Sequence, residues 1–477
     1  MNMLTYKKIS TDFLQAIFIV AFVGLFVLAN YFVGFNLPLY VVAMLVGAMI
    51  AFARPRSGLF AIIFLTFVFE RFFTLVPIVM GRSEYKIYPI DVIFGALLIG
   101  IAFQLVWGKL KIVWRKIDWA IFAFVCFSVL YFVIGFLMGS GDSSLAFSTV
   151  KNYAFYSLFY FATFILIDSK EKLKQLAKVV FVSAIAVVWF VAYGIALRHG
   201  LWSDFTPLST DGIRTLAFTH GFYLSMSLII TLVYVAFKRD LFSKWLLVLM
   251  PIWAVGVLGS MMRHLWISLF VAVVAVLILF ATKQREKLKK YVFAYGAMLV
   301  ILAILAIYLG TMFPKSALYE KLSWASEMLG SRVTSIANTE GDESILWRSA
   351  VWKSAGKKYL ESPVFGIGFG QKVSIEIGSY HDFVEIRNMH NSFLVLFIQM
   401  GIFGIALVLI SLIKLGYSAL KTKFQDETLQ IAAFSALGIL VLQIVAFMFQ
   451  PYLEANLLGI FFWINLGILR MLYGEKR

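Results

Sequence analysis

Apolar runs of about twenty residues, separated by short polar stretches, follow one another along most of the chain. A window of about 19 residues finds bilayer-length segments at 13–34, 36–53, 57–80, 90–107, 117–138, 149–167, 174–197, 218–237, 243–260, 263–281, 291–313, 390–413, 429–449 and 452–472. This pattern predicts an all-α polytopic membrane protein with about 14 transmembrane helices. A large, partly helical loop on the outer side is expected between the eleventh and twelfth spans. The expected organisation is 1–313 as transmembrane helices with short loops, 314–389 as a loop subdomain, and 390–477 as C-terminal transmembrane helices. The first segment follows Lys7 and Lys8 without a small-residue cleavage pattern, so it reads as a retained span.

Composition narrows the class. Of 477 residues, 62% are hydrophobic and 14% charged, against about 45–50% and about 25% in soluble domains. Soluble globular and disordered classes are excluded, and an outer-membrane barrel with alternating strands is disfavoured. The net charge of +17 would suggest nucleic acid in a soluble protein. In a membrane chain it reads as a bias of cations to cytoplasmic loops, with no nucleic-acid partner. Lys109, Lys111, Arg115 and Lys116, then Lys170 to Lys178, Lys283 to Lys290, and Lys414 to Lys423 fall on one side. Both termini are then cytoplasmic. The single Cys126 reads as packing.

The segment 314–389 is too long for a connection between packed helices. From Asp342 to Glu361 it has the pattern of an amphipathic helix, with Trp347, Val351 and Trp352 on its apolar side and Pro363 beyond its end. The glycines 366, 368 and 370 lack the strand–helix setting of a nucleotide loop. No metal or nucleotide cofactor is expected, since HExxH, CxxC and DxD patterns are absent.

Polar groups at a membrane carry cost and therefore attention. Arg263, in Gly259-Ser-Met-Met-Arg-His-Leu-Trp266, reads either as an interfacial anchor or as a fixed cation beside an outward cavity. Arg348 reads either as a solvated helix residue or as a cation over the cavity mouth, and Arg214 as an anchor or a third such cation. A guanidinium binds phosphate in a planar, bidentate manner. His390, opening the segment His390-Asn-Ser-Phe-Leu394, reads either as an interfacial polar residue or as the natural general-base candidate at an outer-face site. Asn391 could orient it or bind a sugar hydroxyl, and His381, Asp382 and Glu385 are competing bases. The adjacent Glu70 and Arg71 read as a structural ion pair, a ligand contact or part of a proton pathway.

Taken in order, Ser260-x-x-Arg263, Arg348-Ser-Ala-Val-Trp352, Ser362-Pro-Val-Phe-Gly-Ile-Gly-Phe-Gly370 and His390-Asn-Ser-Phe-Leu394 with Gly401-Ile-Phe-Gly404 resemble the O-antigen ligase and polymerase (Wzy-type) superfamily. The resemblance covers about residues 255–415. It implies transfer of a glycan from undecaprenyl pyrophosphate to a hydroxyl at the periplasmic face of the bacterial inner membrane. Arg263 and Arg348, with Arg214, would hold the pyrophosphate, His390 would activate the acceptor, and Trp352 would support the site. The implied partners are the lipid-linked glycan, a glycan or lipid acceptor and membrane lipids, with a chain-length regulator protein as a candidate. The reading placed first is an inverting, metal-independent polysaccharide polymerase. A ligase onto lipid A-core or a related acceptor comes second, and a lipid-linked oligosaccharide flippase third.

Overall fold

The computed structural model describes residues 10–33, 36–69, 78–80, 83–85, 87–139, 141–197, 216, 218–238, 240–312, 343–377, 380–454 and 457–474, with isolated positions between 313 and 342. Helices dominate it: α1 (Thr11–Val33), α2 (Leu37–Ala53), α3 (Pro55–Val68), α4 (Pro89–Val106), α5 (Lys116–Leu137), α6 (Ser143–Val150), α7 (Leu158–Leu166), α8 (Lys170–Leu197), α9 (Phe218–Phe237), α10 (Leu241–Gly259), α11 (Arg263–Leu279) and α12 (Thr282–Met312). After the long loop come α13 (Glu343–Tyr359), α14 (Ser392–Lys421), α15 (Glu427–Phe447) and α16 (Leu458–Gly474).

The expectation of about fourteen spans in an all-α chain does not hold. Among the described residues six helices are long and apolar enough to cross a membrane: α4, α5, α9, α10, α14 and α15. Five more are apolar but shorter, at Thr11–Phe26, Leu37–Ala53, Pro55–Val68, Arg263–Leu279 and Leu458–Tyr473. The chain also forms two antiparallel hairpins, β1 (Ile78–Met80) with β2 (Ser83–Tyr85) and β3 (Lys372–Ile377) with β4 (Tyr380–Glu385). The physical reason is that a hydropathy window counts apolar residues and not the helix breaks among them. The segment expected over 57–80 stops as helix at Val68 and ends in β1. The one over 149–167 is interrupted by a π-turn at Lys151–Phe155, where buried Lys151 pairs with Asp91 at 2.9 Å. Helices α8 and α12 open on charged turns. Cys126 lies on the exposed face of α5 and not in a packed interior.

A broken helix shapes the functional end. Gly401, inside α14, has φ 66° and ψ −167°, so two helical pieces meet there. The glycine segment fills the break. Ile367 N–H donates to Ile398 O (3.0 Å), Gly368 N–H to Gln399 O (3.1 Å), Ile402 N–H to Pro363 O (3.1 Å) and Phe403 N–H to Val364 O (3.2 Å). Backbone groups freed by a break in an apolar helix must find partners, and this loop supplies them. Gly366 (φ 78°) passes directly against the Gln399 carbonyl, where no Cβ fits. Close backbone approach is therefore the role of Gly366, and Gly370 (φ 77°) likewise passes against the Asp142 backbone.

Two cores result. One large apolar core runs through the bundle. A second, small one joins Val351 and Ala355 of α13 to Val373, Ile375 and Val384 of the β3–β4 hairpin and to Val395 and Ile398 of α14. It seats α13 directly beside the start of α14.

Candidate active site

His390 sits between a short 3₁₀ turn (Ile386–Asn388) and the first residue of α14. Its φ of 56° is left-handed, a conformation that costs energy in a non-glycine residue. Trp352 on α13 helps to hold this backbone, donating its indole N–H to Met389 O at 2.8 Å. The adjacent Asn391 is the N-cap of α14; its Oδ1 accepts from Leu394 N–H at 3.0 Å. Trp347 stands edge-on to the imidazole, with centroids 5.3 Å apart and planes at 84°.

The ring is also fixed from the opposite side of the chain. His390 Nδ1 lies 2.8 Å from Gln450 Oε1, in the connection between α15 and α16. An amide oxygen only accepts, so Nδ1 carries the proton and the neutral ring keeps its lone pair on Nε2. Burial, and then the positive charge of Arg348, hold the His390 pKa below its ordinary value, while the bond to Gln450 acts the other way. The imidazole is thus a neutral base at pH 7.

The α15–α16 connection gathers the rest of the site. Tyr452, almost fully buried, meets His264 Nε2 with its hydroxyl at 2.5 Å. His264 follows Arg263, the first residue of α11, so the same connection ties the Arg263 turn to the His390 turn. Met261, just before it, is left-handed (φ 54°), and Ser260 is packed against Gly221 of α9. A cation at a helix N-terminus runs against the helix dipole, whereas an anion there is favoured. Arg263 is therefore where an anion would gain from both the side chain and the helix end.

Glu454, 4% exposed, closes the arrangement. Tyr153 OH donates to its Oε1 at 2.5 Å and Ser392 Oγ to its Oε2 at 2.7 Å. Its backbone carbonyl accepts from Asn152 Nδ2 at 2.6 Å. Ser392 Oγ also accepts from Leu453 N–H at 3.0 Å. The α15–α16 connection is thereby tied to the start of α14 and to the π-turn after α6. Burial pushes the Glu454 carboxyl up to about 7, against the hydrogen bonds from Tyr153 and Ser392.

The residues singled out from the sequence fall into three groups. His390, Trp352 and Arg348 share one end of the molecule through α13, and Arg263 joins them through His264, Tyr452 and Gln450. Asn391 is spent on capping. His381 and Glu385 belong elsewhere: His381 is exposed on the hairpin opposite Glu376, 3.7 Å away. Glu385 is engaged by Arg387 (2.6 Å) and Asn388 (3.1 Å). Arg214, Glu70 and Arg71 lie outside the described residues. Gln450, Tyr452 and Glu454 were not singled out. The available signal was an acidic residue at the edge of an otherwise apolar run.

No curated protein matches the chain. One family model does, over a stretch that starts within α10, includes the Arg263 turn, α13 and His390, and ends within α14. Residues 245–409 of the chain match the family model described as O-antigen ligase.

Proposed function

We propose that this membrane-embedded glycan-transfer enzyme is a ligase. It would move a glycan from a polyprenyl-pyrophosphate donor to a hydroxyl of a separate acceptor such as lipid A-core. The family description favours attachment to an acceptor over the polymerase reading placed first on sequence. The observation that carries the chemistry is the Gln450-held tautomer of His390, which leaves Nε2 as a base beside Arg348. The acceptor oxygen attacks the anomeric carbon as the bond from that carbon to the pyrophosphate oxygen breaks. The hydroxyl proton passes to His390 Nε2, and the electron pair leaves with the pyrophosphate. Arg263 and Arg348 stabilise the charge that develops there. One direct displacement inverts the anomeric centre; a retained linkage or a glycosyl-enzyme adduct would refute that step.

Reconstitution of the full chain with an undecaprenyl-pyrophosphate oligosaccharide, with and without lipid A-core, tests the reading by gel analysis of the glycan. Product only with lipid A-core is the expected result. A ladder from donor alone would make it a polymerase. No product with either would overturn both.

A further inference from the structure

At the end of the bundle far from His390, helices α8, α9, α15 and α16 leave a cavity of about 540 Å³ between them. Thr428, at the start of α15, lines it, whereas Gln450 at the other end of that helix holds His390. At about 1.5 Å per residue the two lie roughly 30 Å apart along the helix. The cavity is therefore not part of the site already described.

Three properties define what fits it. Its walls are apolar, with Phe181, Ile439 and Ile468 among them. Its rim is basic: Lys174 and Lys178, one turn apart on α8, are exposed and form no ion pair among the described residues. Of the other charges there, Lys238 pairs with Glu427, and the Asp240 carboxylate accepts from the neutral Tyr234 hydroxyl at 2.7 Å, so Lys174 and Lys178 outweigh the one remaining anion of the rim. About two helical turns deeper, two buried polar atoms line the cavity without a hydrogen-bond partner: Ser435 Oγ and Asn465 Oδ1, in residues 7% and 2% exposed. Buried polar groups are rarely left unsatisfied.

We propose that this cavity binds one anionic phospholipid, with its phosphate at Lys174 and Lys178, an ester carbonyl at Ser435 and an acyl chain along the apolar walls. Basic pockets between transmembrane helices on the lysine-rich face suit anionic headgroups. A free phosphoester would leave the apolar walls uncovered, and a zwitterionic lipid would bring its own cation to the two lysines and gain less from them.

Native mass spectrometry of the detergent-solubilised full chain, with phosphatidylglycerol, phosphatidylcholine or glycerol 3-phosphate added, tests this. Wild type should retain one phosphatidylglycerol about tenfold better than phosphatidylcholine. The double variant Lys174→Gln/Lys178→Gln should lose that preference, whereas Lys109→Gln/Lys111→Gln, in another loop, should keep it. Ala432→Phe, which fills the cavity, should lose the tightly held lipid of either headgroup. If that variant does not fold, the lysine pairs, both on the surface, still decide. Equal retention of the two lipids by wild type would overturn the proposal. So would an unchanged preference in Lys174→Gln/Lys178→Gln, or glycerol 3-phosphate bound as tightly as the whole lipid.

Discussion

Two buried carboxylates, at opposite ends of the bundle, are treated in opposite ways. Asp118 of α5 receives a full counter-charge: Arg470 of α16 meets it with Nε at 2.6 Å and Nη2 at 2.7 Å. Tyr160 OH adds a bond at 2.7 Å, and Arg115 N–H another at 2.7 Å. Glu454 is as deeply buried, yet its side-chain partners are the hydroxyls of Tyr153 and Ser392. A hydroxyl stabilises a carboxylate without neutralising it, and burial pushes the Glu454 carboxyl toward its protonated form. The first arrangement fixes a structure. The second leaves a titratable group next to the turn that carries the candidate base.

The largest expected effect lies at the Glu454 end. His390→Ala should reduce glycan transfer by about 10²- to 10⁴-fold, the range for a general base, while the protein still inserts and retains its fold by circular dichroism. A loss below about tenfold would make His390 an orienting residue and weaken the contrast between a working end and a structural end.

Next in size is the paired carboxylate. Arg470→Ala leaves Asp118 buried without its counter-charge and should cost about 3–5 kcal/mol, read as a lower unfolding midpoint in detergent. The double change Arg470→Leu/Asp118→Leu should recover most of that loss. If the single variant unfolds like wild type, the pair contributes little and the comparison fails at its structural half.

The Glu454 prediction carries a sign. Its pKa is raised on folding to about 7, so the native state binds the proton more tightly than the unfolded chain. Its contribution is fully present below the ordinary carboxyl pKa and is lost as pH rises through about 7. The total is on the order of 3 kcal/mol. The depressed pKa of His390 acts oppositely, with stability lost as pH falls through the ordinary imidazole range. Glu454→Gln should remove the loss on the alkaline side and leave the acidic one. Thermal unfolding across pH 4 to 8 measures both, and an unaltered profile would mean that Glu454 is ionised in the folded protein.

The same contrast explains how much could be read in the sequence. His390, Arg348 and Trp352 were legible because their motifs are local: a helix with Trp and Arg one turn apart, then a His at the start of an apolar run. The partners that orient them were not. Gln450 lies 60 residues from His390, and Tyr153 lies 301 from Glu454. A sliding window holds no information on such distances. Membrane embedding followed from composition, but the span count failed because apolarity persists through breaks. Gly401 interrupts α14 with no polar residue beside it, and its carbonyls are satisfied by a loop that precedes it by more than thirty residues. Asp118 and Arg470, which no local motif marks and which lie 352 residues apart, form a buried pair.

The smallest effect separates capping from catalysis at Asn391. Its Oδ1 accepts from Leu394 N–H, which makes it the N-cap of α14. Asn391→Ala should cost about 1 kcal/mol of stability and loosen the strained His390 turn that precedes it. Serine caps nearly as well as asparagine but has no amide to offer a sugar. Asn391→Ser should therefore restore unfolding midpoint and transfer rate together. If it restored the midpoint alone, the asparagine amide would be acting on substrate, and the working end would extend from the base at His390 into the first turn of α14.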